Sequence, residues 1–231
     1  MSNLQYPGQR ISRNPFHNNS QAGEGSFGLH LQPQQARNAE GRRQSLMDND
    51  RDVTGVFSIQ RPSNAHRILV VGVYSVYVME MTLGKAKWLW TEMNKYRTLW
   101  NDFTRGDFDS WFNILVSRDS FWLEVWNETE IIGVIYWTDM AQIVDCEMHG
   151  MFFDRELASK VELCREVGKW FFTYFPEVHR MTTITPAIYH ATIRLLRRVG
   201  FREEGRKREV WLMNGNWIDQ IISGLLASEV L

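Results

Sequence analysis

At 231 residues, 44% of them apolar, the chain is long enough for one globular domain of ordinary size plus an appendage. Its 26 Lys and Arg nearly cancel 27 Asp and Glu, which excludes a whole-chain field drawing it to nucleic acid or an anionic membrane. Cys146 and Cys164 alone exclude a disulfide scaffold, and the longest apolar run, Ile68 to Met79, is too short to span a bilayer core of about 30 Å.

The start of the chain lacks the basic segment and apolar core of a secretory signal, so a soluble protein of a reducing compartment is expected, with no membrane partner. Residues 1–62 are rich in Asn, Gln, Ser, Gly and Arg, with isolated apolar points at Tyr6, Phe16, Phe27 and Leu29. Such a segment cannot bury enough surface to offset its ordering entropy, which predicts an arm disordered in isolation and ordered on a partner. The folded domain is expected over 63–231.

His66 to Met79 reads as one long first strand. Thr82 to Trp100 reads as a helix whose Leu83, Trp88, Leu89, Met93, Tyr96 and Trp100 share a broad apolar face, and Asp107 to Val116 as a short helix capped by Asp107. Two apolar strands joined by the polar turn Asn127 to Glu130 follow. Ile143 to Phe153 reads as a strand, and Leu157, Val161, Cys164, Val167 and Phe171 mark one face of the next helix. Apolar residues from Ile188 to Val199 fall at helical spacing and Gly200 supplies the stop. A strand then runs to Met213, turns at Asn214-Gly215 in a type I′ hairpin, and returns through Trp217, Ile218 and Ile221.

The segments LLRRVGF (Leu195 to Phe201), EEG (Glu203 to Gly205) and NGNWID (Asn214 to Asp219), with the hairpin FWLEVWNETEIIGVIYWTD upstream, resemble the GCN5-related N-acetyltransferase superfamily over roughly Val70 to Leu226. The resemblance implies an α+β fold, a mixed and mainly antiparallel central sheet flanked by helices. It implies acetyl-coenzyme A as cofactor, its diphosphate cradled by backbone N–H groups at a helix start. The equivalent loop here is Asp154 to Lys160, which places Phe153, Arg155, Ala158 and Lys160 at the cofactor, with Tyr189 and Thr192 on the next helix. The loop departs from the family pattern: Ala158 and Lys160 occupy its small-residue positions, and Asp154 and Glu156 bring negative charge. Tyr189 stands where the family has Asn, and Leu196 where many members have a tyrosine acid.

Glu147 and His149, two apart on one strand and so on one face, are the candidates for the base that takes a proton from an attacking amine. Tyr189 with His190 can be read as an acid pair. Asp145, Cys146, Glu147 and His149 do not make a metal site, because strand alternation splits Cys146 from the others. Arg194, Arg197, Arg198, Arg202, Arg206, Lys207 and Arg208 concentrate positive charge that suits nucleic acid or an acidic neighbour.

Two functions remain open. The charged, glycine-poor loop, the aromatic run WFFTYFPEVHR and the polar arm are similar to the acetyltransferase-like head-assembly and virion proteins of short-tailed bacteriophages. That likeness implies a noncatalytic module in a virion or host cytoplasm, holding assembly neighbours through residues 1–62 and needing no cofactor. It is the preferred reading here because the loop offers carboxylates where a diphosphate needs donors. The alternative is an acetyl-coenzyme A-dependent N-acetyltransferase acting on a protein N-terminus or a small amine.

Overall fold

Strand alternation and helical periodicity in this chain resolve into one eight-stranded sheet carrying helices on both faces. The computed structural model describes residues 67–96, 99–102, 107–117, 120–140, 144–154 and 156–231. The expected arm over 1–62 lies outside these described residues. The strands are β1 (Arg67–Val71), β2 (Tyr74–Val78), β3 (Ser120–Trp126), β4 (Ile131–Thr138), β5 (Asp145–Phe152), β6 (Arg180–Pro186), β7 (Arg202–Met213) and β8 (Asn216–Leu226). The helices are α1 (Leu83–Asn94), α2 (Phe108–Ser117), α3 (Val161–Tyr174) and α4 (His190–Val199). In space the strands run β1-β2-β3-β4-β5-β6-β8-β7, and every neighbouring pair is antiparallel except β5 with β6.

The expected first strand is two. Gly72 takes a left-handed φ of 57°, and Val71 pairs with Tyr74 across the resulting tight turn, so Arg67 to Val78 folds into a hairpin. Helix α1 begins where expected, Thr82 accepting the Lys85 N–H at 3.1 Å, and ends at Asn94, short of the expected Trp100. Beyond it Tyr96 donates its hydroxyl to the Phe153 carbonyl at 2.5 Å, and Trp100 returns to pack on Trp90 with ring centroids 4.6 Å apart. The central hairpin is as expected, Asn127 Oδ1 accepting the Thr129 and Glu130 N–H groups at its turn. So is the last hairpin, whose Asn214 and Gly215 take φ of 49° and 75°, the type I′ signature.

Alternation divides the core. Leu123, Val125, Ile135 and Trp137 point to the α3 side, where Trp137 stacks on Phe171 with centroids 4.1 Å apart. Trp122 and Val134 point to the opposite side and pack against Leu89 of α1. On that side Lys85 of α1 reaches Glu124 Oε2 at 3.0 Å, and Glu124 is fully buried, so the ion pair fixes how α1 lies on β3.

Two of the departures from regular strand pairing shape the site. Parallel strands β5 and β6 pair only at Asp145 with Arg180, Cys146 with Met181 and Glu147 with Thr182, and then part. Between Lys207 opposite Gln220 and Trp211 opposite Ile218, β7 advances four residues while β8 advances two. That bulge puts Trp211, rather than Glu209, opposite Ile218.

Gly133 of β4 sits hard against the next strand, since a Cβ there would stand 2.5 Å from Phe152 Cδ1 and 2.6 Å from the Met151 carbonyl. Gly133→Ala therefore forces β4 and β5 apart. The expected loss is about 2 kcal/mol in chemical denaturation, against little change for Gly168→Ala, where a Cβ meets nothing within 4 Å.

Candidate active site

Where β5 and β6 diverge, the sheet opens into a cleft of about 500 Å³, within the usual range for small-molecule sites. Both faces of β5 line it, Glu147, His149 and Met151 on the α1 side and Met148, Gly150 and Phe152 on the α3 side. The cleft therefore passes through the sheet. Beyond Glu147, the backbone groups of β5 that point towards β6 have no strand to pair with.

On the α3 side the lining includes Thr183 of β6, Tyr189, and Thr192, Leu195 and Leu196 of α4. Thr183 Oγ1 and the Tyr189 hydroxyl are buried without a hydrogen-bond partner among the described residues. Burial pushes the Tyr189 hydroxyl up to about 12, so it holds its proton throughout the neutral range. Burial likewise pushes the thiols of Cys146 and Cys164 up to about 12, which leaves neither a nucleophile at neutral pH.

On the α1 side three rings run across neighbouring strands. Trp122 stacks on Tyr136 at 3.8 Å, and Tyr136 on His149 at 4.6 Å. His149 Nε2 lies 3.5 Å from Glu147 Oε1 and 3.3 Å from Thr138 Oγ1. The two expected base residues are thus together, facing the cleft. Above them stand Met93 and Leu99 from the α1 end and Trp211 and Gln220 from the last hairpin. Asp102 ties these two walls, its carboxylate accepting the Asn214 N–H at 2.9 Å and the Gly215 N–H at 2.8 Å.

The expected cofactor residues are scattered by comparison. Tyr189 and Thr192 line the cleft; Arg155 lies outside the described residues. Phe153 packs edge-on against Trp88 of α1, and Ala158 is exposed in a single 3-10 turn, Leu157–Lys160, that runs directly into α3. Lys160 is fully buried. Its ammonium donates to Asp154 Oδ2 at 2.8 Å, the Tyr74 hydroxyl at 2.9 Å and Ser159 Oγ at 3.2 Å. Burial alone would lower its pKa, but the Asp154 and Tyr74 hydrogen bonds outweigh that and hold it above the ordinary value of 10.5. The Ser159 N–H is spent on the Glu156 carbonyl at 3.1 Å.

Tyr189 and His190 do not act as a pair. His190 turns to a separate hollow of about 360 Å³ that it shares with Ile193, Arg194, Arg197 and Arg206. Much of the basic concentration is met by carboxylates: Arg197 with Glu203 at 2.9 Å, Arg202 with Glu229 and Arg206 with Asp219 both at 3.0 Å.

Thr183 and Trp211 are site residues that the sequence pattern does not announce. Thr183 sits on β6, a short Thr-rich strand with no clear apolar alternation. Trp211 owes its place to the bulge, where Glu209 takes a left-handed φ of 51° while its N–H donates to Asp219 Oδ1 at 2.9 Å. In sequence Asp219 is one more acidic residue after a turn; only the strand pairing shows that it pins a bulge.

A sheet with one splayed parallel pair, an open cleft through it and helices on both faces is the fold of the GCN5-related N-acetyltransferases. A probable acetyltransferase superposes with a TM-score of 0.57 at 15% identity, covering 72% of this chain and 99% of its own. Spermidine N-acetyltransferase from Vibrio cholerae, solved with CoA and spermine, gives 0.55 at 16% identity, with 69% and 99% covered. Ribosomal-protein-S5-alanine acetyltransferase from Vibrio fischeri gives 0.55 at 15%, with 71% and 98% covered. These are likenesses of fold. No protein-family model and no curated protein matches the chain.

The bulge provides a test by pH. The Glu209 N–H and the Arg206 guanidinium hold the Asp219 carboxyl below its ordinary value of 3.8. A depressed carboxyl contributes stability that is complete above the unfolded value and is lost as pH falls through the folded one. The melting temperature of Asp219→Asn should therefore lie below that of the wild type by a constant amount from pH 7 to about 5. The gap should narrow below 3.8.

Proposed function

We propose that the protein is an acetyl-coenzyme A-dependent N-acetyltransferase whose acceptor is a protein N-terminus or a small amine. The observation that carries this reading is the cleft through the sheet, which is lined by a base pair on one face and by unpartnered hydroxyls on the other.

The donor side suits an extended acyl-pantetheine arm. Such an arm carries amide groups along its length; Thr183 Oγ1 and the Tyr189 hydroxyl are groups awaiting polar partners, and β5 beyond Glu147 has no strand beside it on the β6 side. Acetyl-coenzyme A bound there would supply an activated acyl carbon and a thiolate leaving group. Glu147, with His149 beside it, accepts the proton of the incoming ammonium and leaves a neutral amine. The Tyr189 hydroxyl, protonated at neutral pH, donates a hydrogen bond on the opposite side and is the available proton source for the departing sulfur. The apolar walls of Met93, Leu99 and Leu196 exclude water and so favour transfer to amine over hydrolysis.

One observation favours a second reading, the noncatalytic assembly module. The loop before α3 keeps its lysine inside, neutralised by Asp154, and does not present it to a diphosphate. In that case the arm over 1–62 and the arginines of α4 would be the working surfaces, and the particle-assembly role would be tested by deleting the arm.

Calorimetric titration of acetyl-coenzyme A into the full chain separates the two. Saturable binding in the micromolar range, and thiol release with an amine, are expected. Glu147→Gln should lower kcat about 100-fold with the donor affinity unchanged. No heat at millimolar ligand would leave the second reading standing.

A further inference from the structure

We propose that the acceptor is the N-terminus of a peptide chain, an amine with one positive charge and an uncharged carbonyl beside it, and that the Trp211 indole N–H reads that carbonyl. The inference deepens the acetyltransferase reading and rests on it.

The α1 side of the cleft is sparing with charge. Among the described lining residues Glu147 is the single carboxylate, and there is no lysine or arginine. An acceptor with two or three ammonium groups would bring charges into this apolar mouth that meet no counter-charge, and burying an unpaired charge is costly. A free amino acid fails in the opposite sense. Its carboxylate would find no cation among the described lining residues and would face Glu147. A chain N-terminus avoids both penalties, since its neighbouring carbonyl belongs to a neutral amide.

The polar complement of that amide is present. Trp211 Nε1 is buried and has no partner among the described residues. An indole N–H only donates, so what it awaits is an acceptor atom. The pairing of Trp211 with Ile218 sets it on the same side of the sheet as Glu147 and His149, and it lines the cleft, as do Met93 and Leu99. Its placement is built rather than incidental. The two extra residues of β7 put Trp211 where a regular ladder would put Glu209, and Asp219 holds that bulge through the Glu209 N–H and Arg206. A regular ladder would have set a second carboxylate opposite Ile218 in place of a neutral donor, and with it a mouth suited to a polycation.

The test uses the full chain and four amines: an uncharged tetrapeptide amide with a free N-terminus, spermidine, free alanine and n-butylamine. Calorimetry with the protein alone is expected to show the peptide binding at least tenfold more tightly than spermidine or alanine. With acetyl-coenzyme A present, the same order is expected in kcat/KM. Trp211→Phe keeps the ring and removes the donor. It is expected to raise the peptide KM about tenfold and to lower the ratio of peptide to n-butylamine kcat/KM by about the same factor. Preference for spermidine or alanine overturns the inference, as does an equal effect of Trp211→Phe on peptide and butylamine. A wild-type protein that binds no acetyl-coenzyme A and acetylates none of the four overturns the transferase reading itself, and this inference with it.

Discussion

Everything distinctive about this molecule depends on a sheet that stops pairing. Three residue pairs join β5 to β6, and beyond Glu147 and Thr182 the two strands go separate ways. A sheet interior normally satisfies its backbone groups strand by strand. Here the obligation is left open over the rest of β5, in the middle of the molecule, with Glu147 and His149 on one side of the gap and Thr183 and Tyr189 on the other. The flanking parts hold the gap in place: β4 pairs with β5 from Glu147 to Phe152, β8 pairs with β6 along its whole length, and the aromatic core under α3 braces the first of these.

The fold is legible in the chain because its signals are local. Gly200 after an apolar helix and Asn214-Gly215 between strands carry their geometry in their own backbone preferences, and both are found as expected. His66 to Met79 misleads because apolar alternation continues smoothly across Gly72, and nothing but the glycine itself marks the turn. The expected length of α1 is excessive for a related reason: Tyr96 and Trp100 keep the helical spacing yet are drawn away by the Phe153 carbonyl and by Trp90. Of the site, Glu147, His149, Tyr189 and Thr192 are legible, since two positions on a strand or the start of a helix fix a direction. Thr183 and Trp211 are not, because their importance lies in having no partner, and a missing partner is a property of the packed structure.

Lys160 shows how a single side chain changes the meaning of a loop. At the level of sequence it is a bulky cation in a position where small residues let phosphate approach backbone. In the structure its charge is turned inward and shared among Asp154, Tyr74 and Ser159, so the start of α3 is closed on itself. Tyr74 comes from the hairpin that Gly72 creates. The first and third quarters of the described domain are therefore joined at this point by a buried cation.

The tie between Asp102 and the turn of the last hairpin spans 112 and 113 residues of chain. Closing so long a loop for the sake of these bonds and that of the Asp102 N–H to the Leu212 carbonyl is entropically unfavourable until other contacts have brought the ends near. The Asp102 tie accordingly closes on strands that the sheet has already brought together, and β7 and β8 keep their own pairing without it. The mouth can therefore lose and regain that tie without the strand pairing beneath it having to change.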